Sequence, residues 1–189
     1  MKTLIIHPDD RSTDFLRSIY LCLRNKTVIT KNITREELHK LIQSHDQIMM
    51  MGHGAPGGLF NSSRIGDGLY TIGMEEVPHL RGKKLVAIWC NADRFIEYHK
   101  LDALYTGMFV SEIGEALMFD IIVDQKTVNE SNNTFARLLG KQLRSTPEDH
   151  SAAHKVVLEH YSQLAKTNPV ARYNSVRWYY QNKTALELY

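Results

Sequence analysis

The apolar residues of this chain fall into short runs separated by segments with helical spacing. Leu4-Ile5-Ile6-His7 predicts a short buried strand that Pro8-Asp9-Asp10 ends. Ser12-Thr13-Asp14 supplies N-cap chemistry for a helix carrying Phe15, Ile19, Leu21 and Leu23, with Cys22 as a packed core thiol. Thr27-Val28-Ile29-Thr30 is a β-branched second strand. Thr34-Arg35-Glu36-Glu37 is a capping box that opens a helix striped by Leu38, Leu41 and Ile42, and Ile48 to Met51 is the third strand. This β-α-β-α-β order implies a parallel sheet with helices on its faces.

A long connection, residues 55–82, follows. Leu59-Phe60 and Leu69-Tyr70-Thr71-Ile72 flank the turn-rich stretch Asn61–Gly68 and predict a β-hairpin, with a short helix over Glu75–Leu80. Leu85–Trp89 is a fourth strand, Ala92–His99 a helix or irregular loop, Gly107–Ser111 a fifth strand and Ile113–Phe119 a helix. Two longer helices are predicted over Asn129–Leu143 and His150–Leu164, and the aromatic run Tyr173–Tyr180 closes the sheet as a last strand. The expected fold class is α/β, a three-layer sandwich with a mostly parallel six-stranded sheet and helices on both faces, formed by one domain over 1–189.

At 189 residues, 43% hydrophobic and 23% charged, the chain has enough apolar content for a packed core. With 23 basic and 21 acidic residues the net charge is +2, which does not suggest a nucleic-acid partner. The two cysteines, Cys22 and Cys90, are no disulfide framework. Neither a leader segment nor a run long enough to span a membrane is read from the sequence, so a cytoplasmic location with no membrane partner is expected. His39, His45, His79, His99, His150, His154 and His160 are read mainly as surface residues, with His150 and His154 on one exposed helix face.

The candidate chemistry sits at the ends of two apolar runs. Gln47–Met51 is followed by Gly52-His53-Gly54, and Lys84–Trp89 is followed by Cys90, 37 residues beyond His53. A histidine and a thiol at the ends of neighbouring strands can meet at one sheet edge, where the base populates the nucleophilic thiolate. Together with the Gly57-Gly58 turn, the Asp67-Gly68 hairpin and Leu80-Arg81-Gly82-Lys83-Lys84, this order of motifs resembles the caspase-like cysteine peptidases. The likeness is sharpest over residues 47–91. Trp89 departs from the family's small residue before the nucleophile, and Asn91 departs from its usual successor.

The resemblance implies a thiol peptidase of the caspase-like type with Cys90 as nucleophile, His53 as its partner, and the Gly54 and Cys90 amides as an oxyanion hole. Asp9, Asp10, Asp93, Glu112 and Trp89 would line the substrate pocket, the carboxylates favouring a basic side chain before the scissile bond, with Arg11 and Arg94 keeping an acidic one open. It implies a peptide or protein substrate, no cofactor and no metal, and a monomer or a homodimer formed through the sheet edge. A catalytically inactive member serving as a binding or regulatory module is the alternative. A glutamine amidotransferase-like hydrolase is a third reading, and it requires Cys90 itself on a strained elbow at positive φ.

Overall fold

The computed structural model describes residues 1–62 and 69–182. The chain adopts the expected α/β class: a six-stranded, mostly parallel sheet with helices around it. The strands are β1 (Thr3–Ile6), β2 (Lys26–Ile29), β3 (Gln47–Met51), β7 (Lys84–Ile88), β8 (Ala103–Thr106) and β9 (Trp178–Gln181). Their order across the sheet is β2-β1-β3-β7-β8-β9. β4 (Gly54–Ala55), β5 (Gly58–Phe60) and β6 (Tyr70–Ile72) form a separate antiparallel sheet. β5 and β6 are the expected hairpin, whose turn residues 63–68 lie outside the described residues.

The chain forms two compact units. Of the described residues, the sheet unit comprises Met1–Asp10, those within Arg24–Gly107, and 179–182. The helical unit comprises Arg11–Leu23 and Met108–Trp178.

In the sheet unit, parallel pairing sets Ile5, Met49 and Val86 in one row and Ile6, Met50 and Ala87 in the next. Side chains of successive rows point to opposite faces, and all six are fully buried. Two-sided burial is why these strands read as continuous apolar runs and not as alternating ones. The Ile6–Met50–Ala87 face packs against α2 (Arg35–Gln43), α3 (Val77–Leu80) and α4 (Ala92–His99) through Leu38, Ile42, Leu80, Phe95 and Ile96. Thr34 Oγ1 accepts from the Glu37 amide at 3.2 Å, as the capping motif predicts.

Glu76, in a 3-10 turn (Met74–Glu76) ahead of α3, is a fully buried carboxylate. It accepts from Arg35 Nη1 and from the Gly73 amide at 2.8 Å, and lies 3.3 Å from His39 Nε2. Residues of the connection are thereby tied to α2, the second link being a stack of His39 on His79 at 4.0 Å.

The helical unit holds a 3-10 segment (Arg11–Leu16) running into α1 (Arg17–Tyr20), then α5 (Ile113–Met118), α6 (Gln125–Ser145), α7 (His150–Leu164) and α8 (Pro169–Ser175). Its loop over 110–111 is clasped by side chains. Asn174 Oδ1 accepts from the Val110 amide while its Nδ2 donates to the Val110 carbonyl, both at 2.8 Å, and Asn132 Nδ2 donates to the Ser111 carbonyl. Tyr161, buried in this unit, hydrogen-bonds Ser131, and burial pushes its phenol up to about 12 despite the opposing bonds from Ser131 and Asn174.

Several local expectations change. The fifth strand is Ala103–Thr106 and not Gly107–Ser111, because Ala103–Tyr105 pair with β7 whereas Val110 and Ser111 bond to the side chains of Asn174 and Asn132. The C-terminal aromatic run is split: Asn168 caps α8 by accepting from the Ala171 amide at 2.9 Å, so Tyr173 is helical and only Trp178–Gln181 is strand. Cys22 is exposed, since α1 ends at Tyr20 before its apolar face would turn that residue inward. His150 is buried, and His154 Nε2 lies 3.0 Å from the Trp178 carbonyl, so these two do not form an open polar face. Met49, Met50 and Met51 are strand core, as read. Among the described residues no helix is long and apolar enough to cross a membrane.

Two outcomes follow from this packing. Glu76→Ala removes a buried acceptor, but its main partner Arg35 is 41% exposed and keeps Glu75 at 3.0 Å. The expected loss is therefore about 2 kcal/mol in urea unfolding, below the ~3–5 kcal/mol of a pair broken wholly in the interior. Tyr161 stays protonated in the folded chain above pH 10 while the unfolded chain loses its proton. Its contribution to stability is full below about pH 10 and is lost as pH rises toward 12, and the pH-dependence of urea unfolding should flatten over that window in Tyr161→Phe.

Candidate functional site at the carboxyl ends of the strands

The candidate residues of the sheet unit gather where β1, β3 and β7 end. β1 runs out into His7-Pro8-Asp9-Asp10, β3 into Gly52-His53-Gly54, and β7 into Trp89-Cys90-Asn91. The last β3–β7 pair is Met51 with Ile88, so His53 and Cys90 each stand two residues beyond the end of one ladder. The Gly52 amide still reaches the Ile88 carbonyl at 3.0 Å. Gly52 then leaves the strand at φ +141°, a backbone conformation that L side chains rarely adopt, with Leu59, Pro8 and His7 around its Cα.

His53 is half-buried, and its Nε2 lies 3.8 Å from Asp10 Oδ2. Asp9 is exposed and is tied by its amide to the Thr30 carbonyl at 2.9 Å. Cys90 is half-buried on the turn from β7 into α4. That turn is a tight elbow, and its positive φ (65°) falls on Asn91 and not on Cys90. The condition for an amidotransferase-like elbow is not met. Trp89 is core and not pocket wall. It is 2% exposed, its Nε1 donates to the Ala55 carbonyl at 3.1 Å, and its own carbonyl accepts from Thr106 Oγ1 at 3.0 Å.

Gly54 takes its meaning from that tryptophan. A Cβ on Gly54 would sit 2.3 Å from Trp89 Cδ1 and 2.6 Å from the Gly58 carbonyl oxygen. Its missing side chain admits an indole ring, so packing accounts for the glycine without an oxyanion. Asp93 stands in the first turn of α4, and one of its carboxylate oxygens is shielded from solvent with no hydrogen-bond partner among the described residues. Its charge acts on Tyr105, whose phenol is pushed up by burial first, then by Glu97 and Asp93. Glu112 belongs to the helical unit, where it precedes α5 and its amide donates to Glu115 at 3.2 Å. Sequence reasoning missed Thr106, the polar residue closing the buried Ala103–Tyr105 run, and the Ala55 carbonyl. Among the described residues no group of three or more His, Cys, Asp and Glu side chains is placed to hold a metal ion.

No family model matches the chain, and no curated protein is similar to it. Among solved structures it is similar to the crystal structure of an NADPH-quinone reductase from P. pentosaceus. The identity is 13%, the TM-score 0.41, and the likeness covers 77% of this chain and 99% of that one. At this identity and score the reductase's activity is not carried over. That structure is of a reductase and not of a peptidase. No comparison supports the caspase-like resemblance, and it is corrected together with the cysteine-peptidase function, the hydrolase class and the inactive caspase-like module.

The physical reason is that the two motifs have low specificity. Any parallel sheet buried on both faces yields apolar runs, and each run must end in a turn where glycine and polar residues collect.

Gly54→Ala tests packing against Trp89 as the reason for this glycine. It should cost about 2–3 kcal/mol in urea unfolding, in line with other overpacked sites, and should shift the emission of Trp89. Unchanged stability and emission would show that the Trp89 packing does not require a glycine at this position.

Proposed function

We propose that the sheet unit binds a small molecule at the carboxyl edge of its sheet, in the crevice between the ends of β1 and β3. One observation carries this reading. From β1 the chain passes to β2 on one side of it and then returns to β3 on the other. Where connections leave a parallel sheet in opposite directions, the loops part and leave a crevice outside the strand ends, which is where open α/β sheets bind ligands.

Asp9, Asp10, His53 and Cys90 are the side chains proposed to meet the ligand. Asp10 and His53 form a polar pair on either side of the β1–β3 divide. A ligand offering a hydrogen-bond donor or a cationic group to the carboxylate suits that pair, and the half-buried thiol gives the crevice a less polar wall. Trp89, Gly54 and Thr106 support the site from behind by fixing the end of β7 against the small sheet.

A fragment library screened by 1H–15N NMR on the full chain tests the proposal. Bound fragments should shift the Asp9, Asp10, His53 and Cys90 amides together, and Asp10→Asn should weaken donor-bearing fragments by about tenfold, the loss of one charge-assisted hydrogen bond. Hits that leave these four amides unmoved would overturn it.

A further inference from the structure

We propose that the helical unit carries a docking face for a second copy of this chain, built on α5, the loop that follows it and the end of α8. Leu117, Met118, Phe119, Ile122 and Val176 are all exposed, Met118 at 78% and Ile122 at 89%. Apolar residues scattered singly over a surface need no explanation, but these five lie on adjoining segments and form a patch. The Phe119 and Tyr173 rings meet at 4.8 Å and so join the two segments, and Val176 is the C-cap of the helix that carries Tyr173.

The pattern of α5 leaves this surface apolar. Ala116 is fully buried in a cluster with Val110, Val128 and Val170, and Ile113, Ile121 and Val123 pack against it. Gly114, Leu117 and Met118, at helical spacings of three and four, fall together on the exposed side. A helix that is apolar on both faces belongs in an interior, so the outer face of α5 is complete only when something covers it.

Charge selects the occupant. Residues 112–124 hold Glu112, Glu115, Asp120 and Asp124 and no lysine or arginine, whereas residues 165–178 hold Lys166, Arg172 and Arg177 and no carboxylate. Asp124 caps α6 and has Lys126 nearby, but the Asp120 carboxylate has no partner among the described residues. On the basic side, Arg172 donates to the Ala165 and Lys166 carbonyls, and Arg177 donates to the Tyr173 carbonyl and lies over the Tyr173 ring at 3.6 Å. Those partners are neutral, so both arginines keep their charge. The patch therefore has one acidic and one basic flank.

A two-fold axis through the apolar centre sets the acidic flank of one copy against the basic flank of the other, which is how a surface complements itself in an isologous dimer. Anionic lipid headgroups would attract the arginines and repel Asp120, so a membrane matches only one flank. At ~60–120 Å² per buried apolar side chain, the five remove on the order of 400 Å² from water, half of the ~800 Å² that each partner of a stable interface buries. The flanks supply the remainder, and the contact is a weak, concentration-dependent dimer.

Sedimentation velocity of the full chain across the micromolar range tests the proposal. A monomer–dimer equilibrium is expected, and Met118→Lys, which leaves the core untouched, should weaken it about tenfold or more. Asp120→Lys and Arg172→Glu should each weaken it because like charges then meet, and the two together in one chain should recover most of the loss. Arg172→Glu also gives up two carbonyl bonds, so if circular dichroism shows that it does not fold, Met118→Lys and Ile122→Lys decide. A chain that stays monomeric throughout, a dimer indifferent to both lysine variants, or folded charge reversals that do not rescue each other would overturn the proposal. Binding of a monomer to phosphatidylcholine vesicles, lost in Met118→Lys, would assign the face to lipid and overturn it too. Asp10, His53 and Cys90 play no part, so the outcome is independent of the carboxyl-edge site.

Discussion

Everything in the sheet unit depends on the parallel ladder through β1, β3 and β7, whose strands are buried on both faces. Such strands carry no polar side chain inside without a partner, so polar and reactive residues are displaced to the strand ends. The chemistry of this unit is therefore found at two edges. At the carboxyl edge are a thiol, a histidine and carboxylates; at the amino edge are lysines and neutral donors. The buried Gln47 and Thr3, paired by a side-chain hydrogen bond at 3.2 Å where two strands begin, illustrate the same rule at its boundary.

That rule also explains how the peptidase reading arose and why it does not hold. A hydrophobic block followed by His-Gly, and another followed by Cys, are products of two-sided burial and of the turn that must follow. They place His53 and Cys90 at one edge, but placement is a property of the sheet, and chemistry needs more. Gly54 shows the difference most plainly. In the sequence it is a candidate for backbone exposure to a substrate; in the fold its Cα lies against the Trp89 indole, and the glycine and the unusual tryptophan are one packing solution. The departure from the family pattern at Trp89 and the supposed match at Gly54 thus have a common cause.

Element type was legible wherever burial was uniform or a cap was explicit. The strands at Leu4, Ile48 and Leu85, the cap at Thr34 and the helix His150–Leu164 all stand where the sequence puts them. The misreadings arose where local pattern and tertiary burial disagree. Ala103-Leu104-Tyr105-Thr106 has little β-branching, yet every residue is buried, whereas Gly107–Ser111 has a strand-like composition but lies in a loop held by Asn174 and Asn132. Those asparagines are more than twenty residues away along the chain and leave no local trace. At the site, the adjacency of His53 and Cys90 strand ends was legible because parallel register follows from element order. The Asp10–His53 pair and the Trp89–Ala55 bond were not, because they depend on how two turns fold back.

A net charge of +2 concealed the electrostatic character of the molecule. Composition averages over the chain, whereas a parallel sheet sorts residues by whether they precede or follow a strand. Lysines at the entrances of β1, β2 and β7 add on one edge, and aspartates at the exit of β1 act on the other. Each edge is about one strand length from its opposite, so in salt each sets its own local potential. Charge in such a fold is better read by position relative to strand ends than by sum. Read that way, a nearly neutral chain has aspartates gathered at the exit of β1 and lysines at the entrances of β1, β2 and β7.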